Sequence, residues 1–164
     1  MLPISLHGRI TDHRVSALAL CCEEKGVGYC LLDDSITESK TGRPLLTHQG
    51  QSLTEPLAAL YYLNEGMPGP DLMPDSPWSR ALVLQLCQRL LASHPPEASE
   101  IPEWCTLPLP SEVGFVVDDH LTLADLSLFA WSTACGITVL EGPMDLWWAA
   151  MRQRESVKAI WGPN

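Results

Sequence analysis

LTLADLSLFAW, residues 121–131, marks the start of a helix that has no solvent face. With Thr122 as N-cap, Asp125 falls at the third helical position, the spacing of a capping box with aspartate in place of the usual glutamate or glutamine. Leu121 and Leu126 then occupy the two positions of a hydrophobic staple. Beyond them, Leu126, Leu128, Phe129, Ala130, Trp131, Ala134 and Cys135 leave almost no polar side. A helix apolar all round belongs in a core. There the open N–H groups of its first turn would be costly without partners. Thr122 and Asp125 are accordingly read as a start signal and not as catalytic groups.

On the C-terminal side, residues 144–161 predict one amphipathic segment, with Trp147, Trp148 and Met151 beside Arg152 and Arg154. On the N-terminal side, residues 94–114 carry Pro95, Pro96, Pro102, Pro108 and Pro110, a poor composition for a helix. Further back, Ser76 caps and Pro77 opens a helix in which Leu82, Leu86 and Leu90 stack at four-residue spacing. Before it, NEGMPGPDLMPDSP holds four prolines and two glycines, which predicts a linker over residues 67–77 between domains at 1–66 and 78–164.

The first domain reads differently. Ile4 and Leu6 alternate in a short strand over residues 4–8. Val15, Leu18, Ala19 and Cys22 recur at helical spacing, with Thr11 or Asp12 as N-cap and Gly26 as the stop. Residues 27–32 read as a second strand, and strand–helix–strand units of this length favour parallel pairing. Residues 32–42 are polar and too few for a packed helix. RPLLTHQGQSL predicts a hairpin turning at Gln49-Gly50. From Thr54, a further helix places Leu57, Leu60, Tyr61 and Asn64 on one face, with Pro56 tolerated in its first turn. The order is β-α-β-β-β-α, followed by helices alone.

Of 164 residues, 46% are hydrophobic, enough for one core or two small subdomains sharing one. The formal charge of −10 argues against phosphate backbones and anionic lipid surfaces, so neither nucleic acid nor membrane is an expected partner. No apolar run nears the roughly 20 residues of a bilayer span. The opening MLPISLHGRITDHR lacks the features of a secretory signal. A soluble, cytoplasmic chain is expected. Cys21, Cys22, Cys87 and Cys135 fall in helical apolar patterns as small hydrophobes; Cys30 and Cys105 complete the set. No C-x-x-C occurs, and His7, His13, His48, His94 and His120 are scattered. No metal site is predicted.

Four stretches, in order, carry a resemblance. LALCCEEKGVGYCLL is similar to the first helix and second strand of the glutathione S-transferase superfamily. RPLLTHQGQSLTEPLAALYYLNE resembles its third and fourth strands and following helix. LTLADLSLFAW resembles its helical-domain capping motif, and WWAAMRQRESVKAIW its terminal helix. The resemblance implies a thioredoxin-like N-terminal α/β domain with a truncated second helix, followed by a small all-α domain. It also implies that glutathione is the cofactor to be tested and that a homodimer forms.

The departures bear on function. Where the family places a serine that holds the γ-glutamyl carboxylate through its hydroxyl and backbone N–H, this chain has Pro56 after Glu55. Proline supplies neither donor. Two hydrogen bonds to a charged group, at about 1.5–3 kcal/mol each, correspond to roughly a hundredfold or more in affinity. Glu55 is retained and suits an ammonium group. The family's cis-proline corresponds to Pro44, preceded by Arg43, whose planar fork suits a carboxylate or phosphate. For the catalytic hydroxyl expected between first strand and first helix, counting back from EEKG lands on Asp12, and a gap placed differently selects Thr11, the nearest hydroxyl. A carboxylate there would raise a thiol's pKa and not lower it. These features imply an eroded site in a dimerising ligand-binding or interaction module, taking a small thiol or anionic ligand or a protein partner. The other readings are a thiol-dependent transferase, isomerase or lyase, and a carrier of apolar molecules. Trp104, in the proline-rich segment, is the tryptophan least explained by a helical core.

Overall fold

The computed structural model describes residues 3–33, 43–92, 114–137 and 143–162. The expectations for residues 34–42, for most of the proline-rich segment and for Cys105 and Trp104 lie outside them. Strand β1 (Ile4–His7), helix α1 (His13–Lys25) and strand β2 (Tyr29–Leu32) form the first unit. Strands β3 (Leu46–His48) and β4 (Gln51–Leu53) follow, then helices α2 (Pro56–Gly66), α3 (Pro77–Ala92), α4 (Leu123–Ala134), α5 (Pro143–Gln153) and α6 (Glu155–Trp161). The four strands run in the order β2-β1-β3-β4. β1 and β2 are parallel, as a helical crossover requires, with Ile4 opposite Tyr29. β3 is antiparallel to β1 and to β4.

Local chemistry explains most boundaries. Asp12, not Thr11, is the N-cap of α1, its carboxylate accepting from the Arg14 N–H at 2.9 Å. Gly26, left-handed at φ 65°, ends that helix as expected. Gln49 and Gly50 both have positive φ, at 52° and 78°, the requirement of a two-residue hairpin turn whose twist matches its strands. β2 starts at Tyr29, two residues later than predicted, because Val27 still donates its N–H to the Cys22 carbonyl of α1.

Helix α1 is buried on two sides. It packs on β1 and α2 in the first domain and on α4 and α6 in the second. Val15, Leu18, Ala19 and Leu20 are each 1% exposed or less. The corresponding face of α2 is Ala59, Leu60, Leu63 and Asn64. Tyr61, expected on that face, instead lies 41% exposed, because the buried stripe is centred one residue earlier.

The segment after α2 is docked. Asn64 Oδ1 accepts from the Leu72 N–H at 2.8 Å, and the Leu72 carbonyl accepts from the first N–H of α4, that of Leu123, at 2.9 Å. Gly69, at φ 116°, passes so close to α1 that a Cβ there would lie 2.5 Å from the Lys25 carbonyl oxygen. Only glycine fits both constraints.

Residues 123–132, the length of α4 up to its last two positions, are all buried. Its capping box is present. Asp125 Oδ2 accepts from the Thr122 N–H and Oγ1, each at 2.8 Å. Oδ1 accepts from the Val116 N–H at 2.8 Å and from the Trp147 indole N–H at 2.9 Å. One carboxylate thus joins the preceding loop, the start of α4 and α5. Phe129 stacks on Trp148 at 4.5 Å and meets Trp161 edge-on at 5.7 Å. Residues 144–161 were expected as one segment but break at Arg154, whose extended backbone caps α6. Its guanidinium is held by Glu24 of α1 through two bonds of 2.7 Å. No helix among the described residues is long and apolar enough to cross a membrane.

Candidate functional site

The sheet register gathers the predicted site residues at one end. His7, the last residue of β1, donates its N–H to the Leu45 carbonyl at 2.9 Å, and Leu45 donates its own to the Leu53 carbonyl at 2.8 Å. The end of β1, the approach to β3 and the end of β4 are therefore side by side. Thr11 lies on the loop that leaves the first, Arg43 and Pro44 enter the second, and Glu55 and Pro56 follow the third.

Thr11 is exposed and hydrogen-bonds none of the described residues. Asp12 beside it is committed. Besides capping α1, it pairs with Arg14 through Nε at 2.9 Å and Nη2 at 2.5 Å. Burial alone would raise its carboxyl, but the Arg14 hydrogen bonds and charge hold it below the ordinary aspartate range. It is an ionised helix cap, and Thr11 is the hydroxyl on this loop. The next residue, His13, is 3% exposed, and burial lowers its basicity against the opposing charge of Asp12. Its place against the C-terminal turn of α3 was not legible from its isolated position in the sequence.

Arg43 is exposed and pairs with none of the described residues. No peptide bond among the described residues is cis, so the expected cis-proline at Pro44 is corrected to a trans one. Trans is the intrinsically favoured isomer of an X–Pro bond. Glu55 is the N-cap of α2, exposed, with no hydrogen bond from its side chain to the cap. Pro56 opens the helix. Its ring nitrogen has no hydrogen, and its side chain has no polar atom. The amino end of α2 thus presents a carboxylate and lacks the hydroxyl and N–H that would hold an anion there.

Three cysteines are poor nucleophiles. Cys21, Cys22 and Cys87 are at most 1% exposed; burial raises all three thiols, Cys22 and Cys87 to about 12. Among the described residues, the cluster best placed for a metal is Asp118, Asp119 and His120, three neighbours on a loop, two of them acidic and none buried.

No protein-family model and no curated protein matches the sequence. Solved structures match its shape. A delta-class glutathione transferase of Nilaparvata lugens superimposes with a TM-score of 0.75 at 22% identity, over 96% of this chain and 92% of that one. A glutathione transferase homologue from Burkholderia, solved with bound glutathione, gives 0.74 at 18% identity, over 98% and 97%. Maleylacetoacetate isomerase from Methylobacterium extorquens, solved with malonate and glutathione, gives 0.70 at 20% identity, over 95% of both.

Proposed function

From the glutathione S-transferase fold of this chain, we propose that it is a dimerising ligand-binding or interaction module whose glutathione site is eroded. One observation carries this reading: Pro56 opens α2 where the γ-glutamyl carboxylate would need two donors. The residues present do not fit that end of glutathione. Glu55 adds a negative charge to the same helix end, where a second carboxylate would be repelled. Arg43, which pairs with none of the described residues, is a cation at this end of the sheet suited to a smaller anionic ligand. Tyr61 on α2 and Trp78 on α3, 41% and 74% exposed on helices that pack together, offer aromatic anchors for a second copy or a protein partner.

One observation favours an enzyme instead. Thr11 is an exposed hydroxyl immediately before the N-cap of α1, and in this reading it donates a hydrogen bond to a bound thiolate near that helix N-terminus. That arrangement would serve a thiol-dependent transferase, isomerase or lyase.

Calorimetry with glutathione, joined to light scattering, separates the readings. The module reading expects no saturable heat at millimolar glutathione and a dimer or a retained protein partner. Tight binding lost in Arg43→Ala, together with chlorodinitrobenzene turnover lost in Thr11→Ala, would replace it with the enzyme.

A further inference from the structure

The sheet ends at β2, and no strand among the described residues lies beyond it. Its register with β1 says which of its backbone groups are taken. The Leu32 carbonyl accepts from the Gly8 N–H at 2.8 Å, so Leu32 turns its peptide groups toward β1, and by alternation Cys30 does the same. Tyr29 and Leu31 therefore turn their N–H and C=O groups outward, where none of the described residues bonds to them. The strand, YCLL, carries no proline, charge or bulge, devices that keep an edge from pairing. Cys30 is exposed, as are Leu31 at 45% and Leu32 at 40%.

An extended segment added to such an edge binds through main-chain hydrogen bonds. This edge is complementary to itself. Laid antiparallel about a two-fold axis at Cys30, Tyr29 of one copy stands opposite Leu31 of the other, and each of the two pairs exchanges both of its hydrogen bonds. That register uses every outward group of the strand. Tyr29 and Leu31 also alternate onto one face, so each exposed leucine lies against the tyrosine ring of the other copy, an aromatic–aliphatic cross-strand pair.

Charge agrees with the same occupant. Arg9, paired with Asp33 at 3.2 Å, stands at the end of β2, and Glu23 lines a depression with Gly28 and Tyr29 at its start. Antiparallel pairing brings the Arg9 end of one copy to the Glu23 end of the other. The net charge of −10 on each chain is screened beyond about 8 Å at physiological ionic strength, so these local pairs decide.

We propose that the open edge of β2 is a dimer interface, where two copies of this chain join their sheets antiparallel through Tyr29 and Leu31 with Cys30 on the two-fold axis. The proposal rests on the dimer of the reading above and not on the state of its glutathione site.

Cys30 makes the register measurable. Opposed residues between two hydrogen-bonded pairs have Cα atoms about 4.5 Å apart, inside the range of about 4.4–6.8 Å that disulfides span. Diamide should therefore oxidise the two Cys30 thiols of the native dimer to one interchain disulfide, taking up their two hydrogens itself, and peptide mass mapping should find Cys30 joined to Cys30. Sedimentation velocity should show a dimer that Leu31→Lys converts to monomer, with the cross-link lost. Leu31 is half-exposed, so this variant should melt like the parent. Leu31→Pro, which removes an N–H that β1 does not use, should act alike. Tyr61→Ala combined with Trp78→Ala should leave the dimer intact. A chain monomeric at every concentration would overturn the proposal together with the dimer of that reading. A dimer that survives Leu31→Lys, or one that yields no Cys30–Cys30 peptide, would overturn the proposal alone.

Discussion

Asp125 shows how one side chain takes on several structural tasks at once. Burial pushes its carboxyl up from the ordinary aspartate value, and four donors oppose that push. Removing it strands two backbone N–H groups and an indole N–H in a dry interior. Asp125→Ala is expected to cost about 3 kcal/mol or more, and Asp125→Asn less, measured by urea unfolding. A neutral outcome would show that other groups satisfy those donors. The opposite experiment applies at Pro56. Pro56→Ser restores a hydroxyl and an N–H to the amino end of α2, and glutathione affinity should rise roughly a hundredfold. Unchanged calorimetry would count against the proposal that absent donors at this helix end set the affinity for glutathione. Both residues were legible in the sequence, because a capping spacing and a proline act within one helical turn. The choice between Thr11 and Asp12 was not: it rests on where the Arg14 guanidinium folds back, which no linear pattern encodes.

Elements are joined by contacts that span the chain. Arg154 closes on Glu24, and Ser156 donates to the same carboxylate at 2.5 Å, which fastens α6 to α1. Burial would raise Glu24, but the donors and the charge of Arg154 together hold it below the ordinary glutamate range. The sign follows from that lowering. The folded form binds its proton less readily than the unfolded one, so the stabilisation is complete above the ordinary value and fades as pH falls through the folded one. The melting-temperature gap between the parent and Glu24→Gln should therefore be widest near neutrality and shrink below roughly pH 4. A gap that stays constant down to acid pH would mean that the pair contributes by packing alone. The break between α5 and α6 was hidden from the sequence for the same reason. Residues 144–161 keep a helical pattern, and what interrupts them is a partner 130 positions away.

For the molecule as a whole, the order of elements was readable because each boundary is local: Asp12 and Gly26 around α1, Gln49-Gly50 in the hairpin, Thr122 and Asp125 at α4. The docking of residues 67–73 was not, since it depends on the Asn64 amide and on the approach of Gly69 to Lys25. Nor was the His48–Tyr62 pair, whose members only the packing of α2 on the sheet brings within 2.7 Å. Pro56 at the start of α2 was readable from the sequence, whereas the surroundings of Thr11 and Arg43 depend on the fold.

The two-sided burial of α1 bears on how separable the halves are. Residues 1–66 made without the rest would turn a greasy flank of that helix toward water, the flank that α4 otherwise covers. Such a fragment should self-associate, bind anilinonaphthalene sulfonate and melt without a sharp transition. A well-behaved monomer with a steep melt would instead mark the α/β half as an autonomous unit, to which the helices were merely appended.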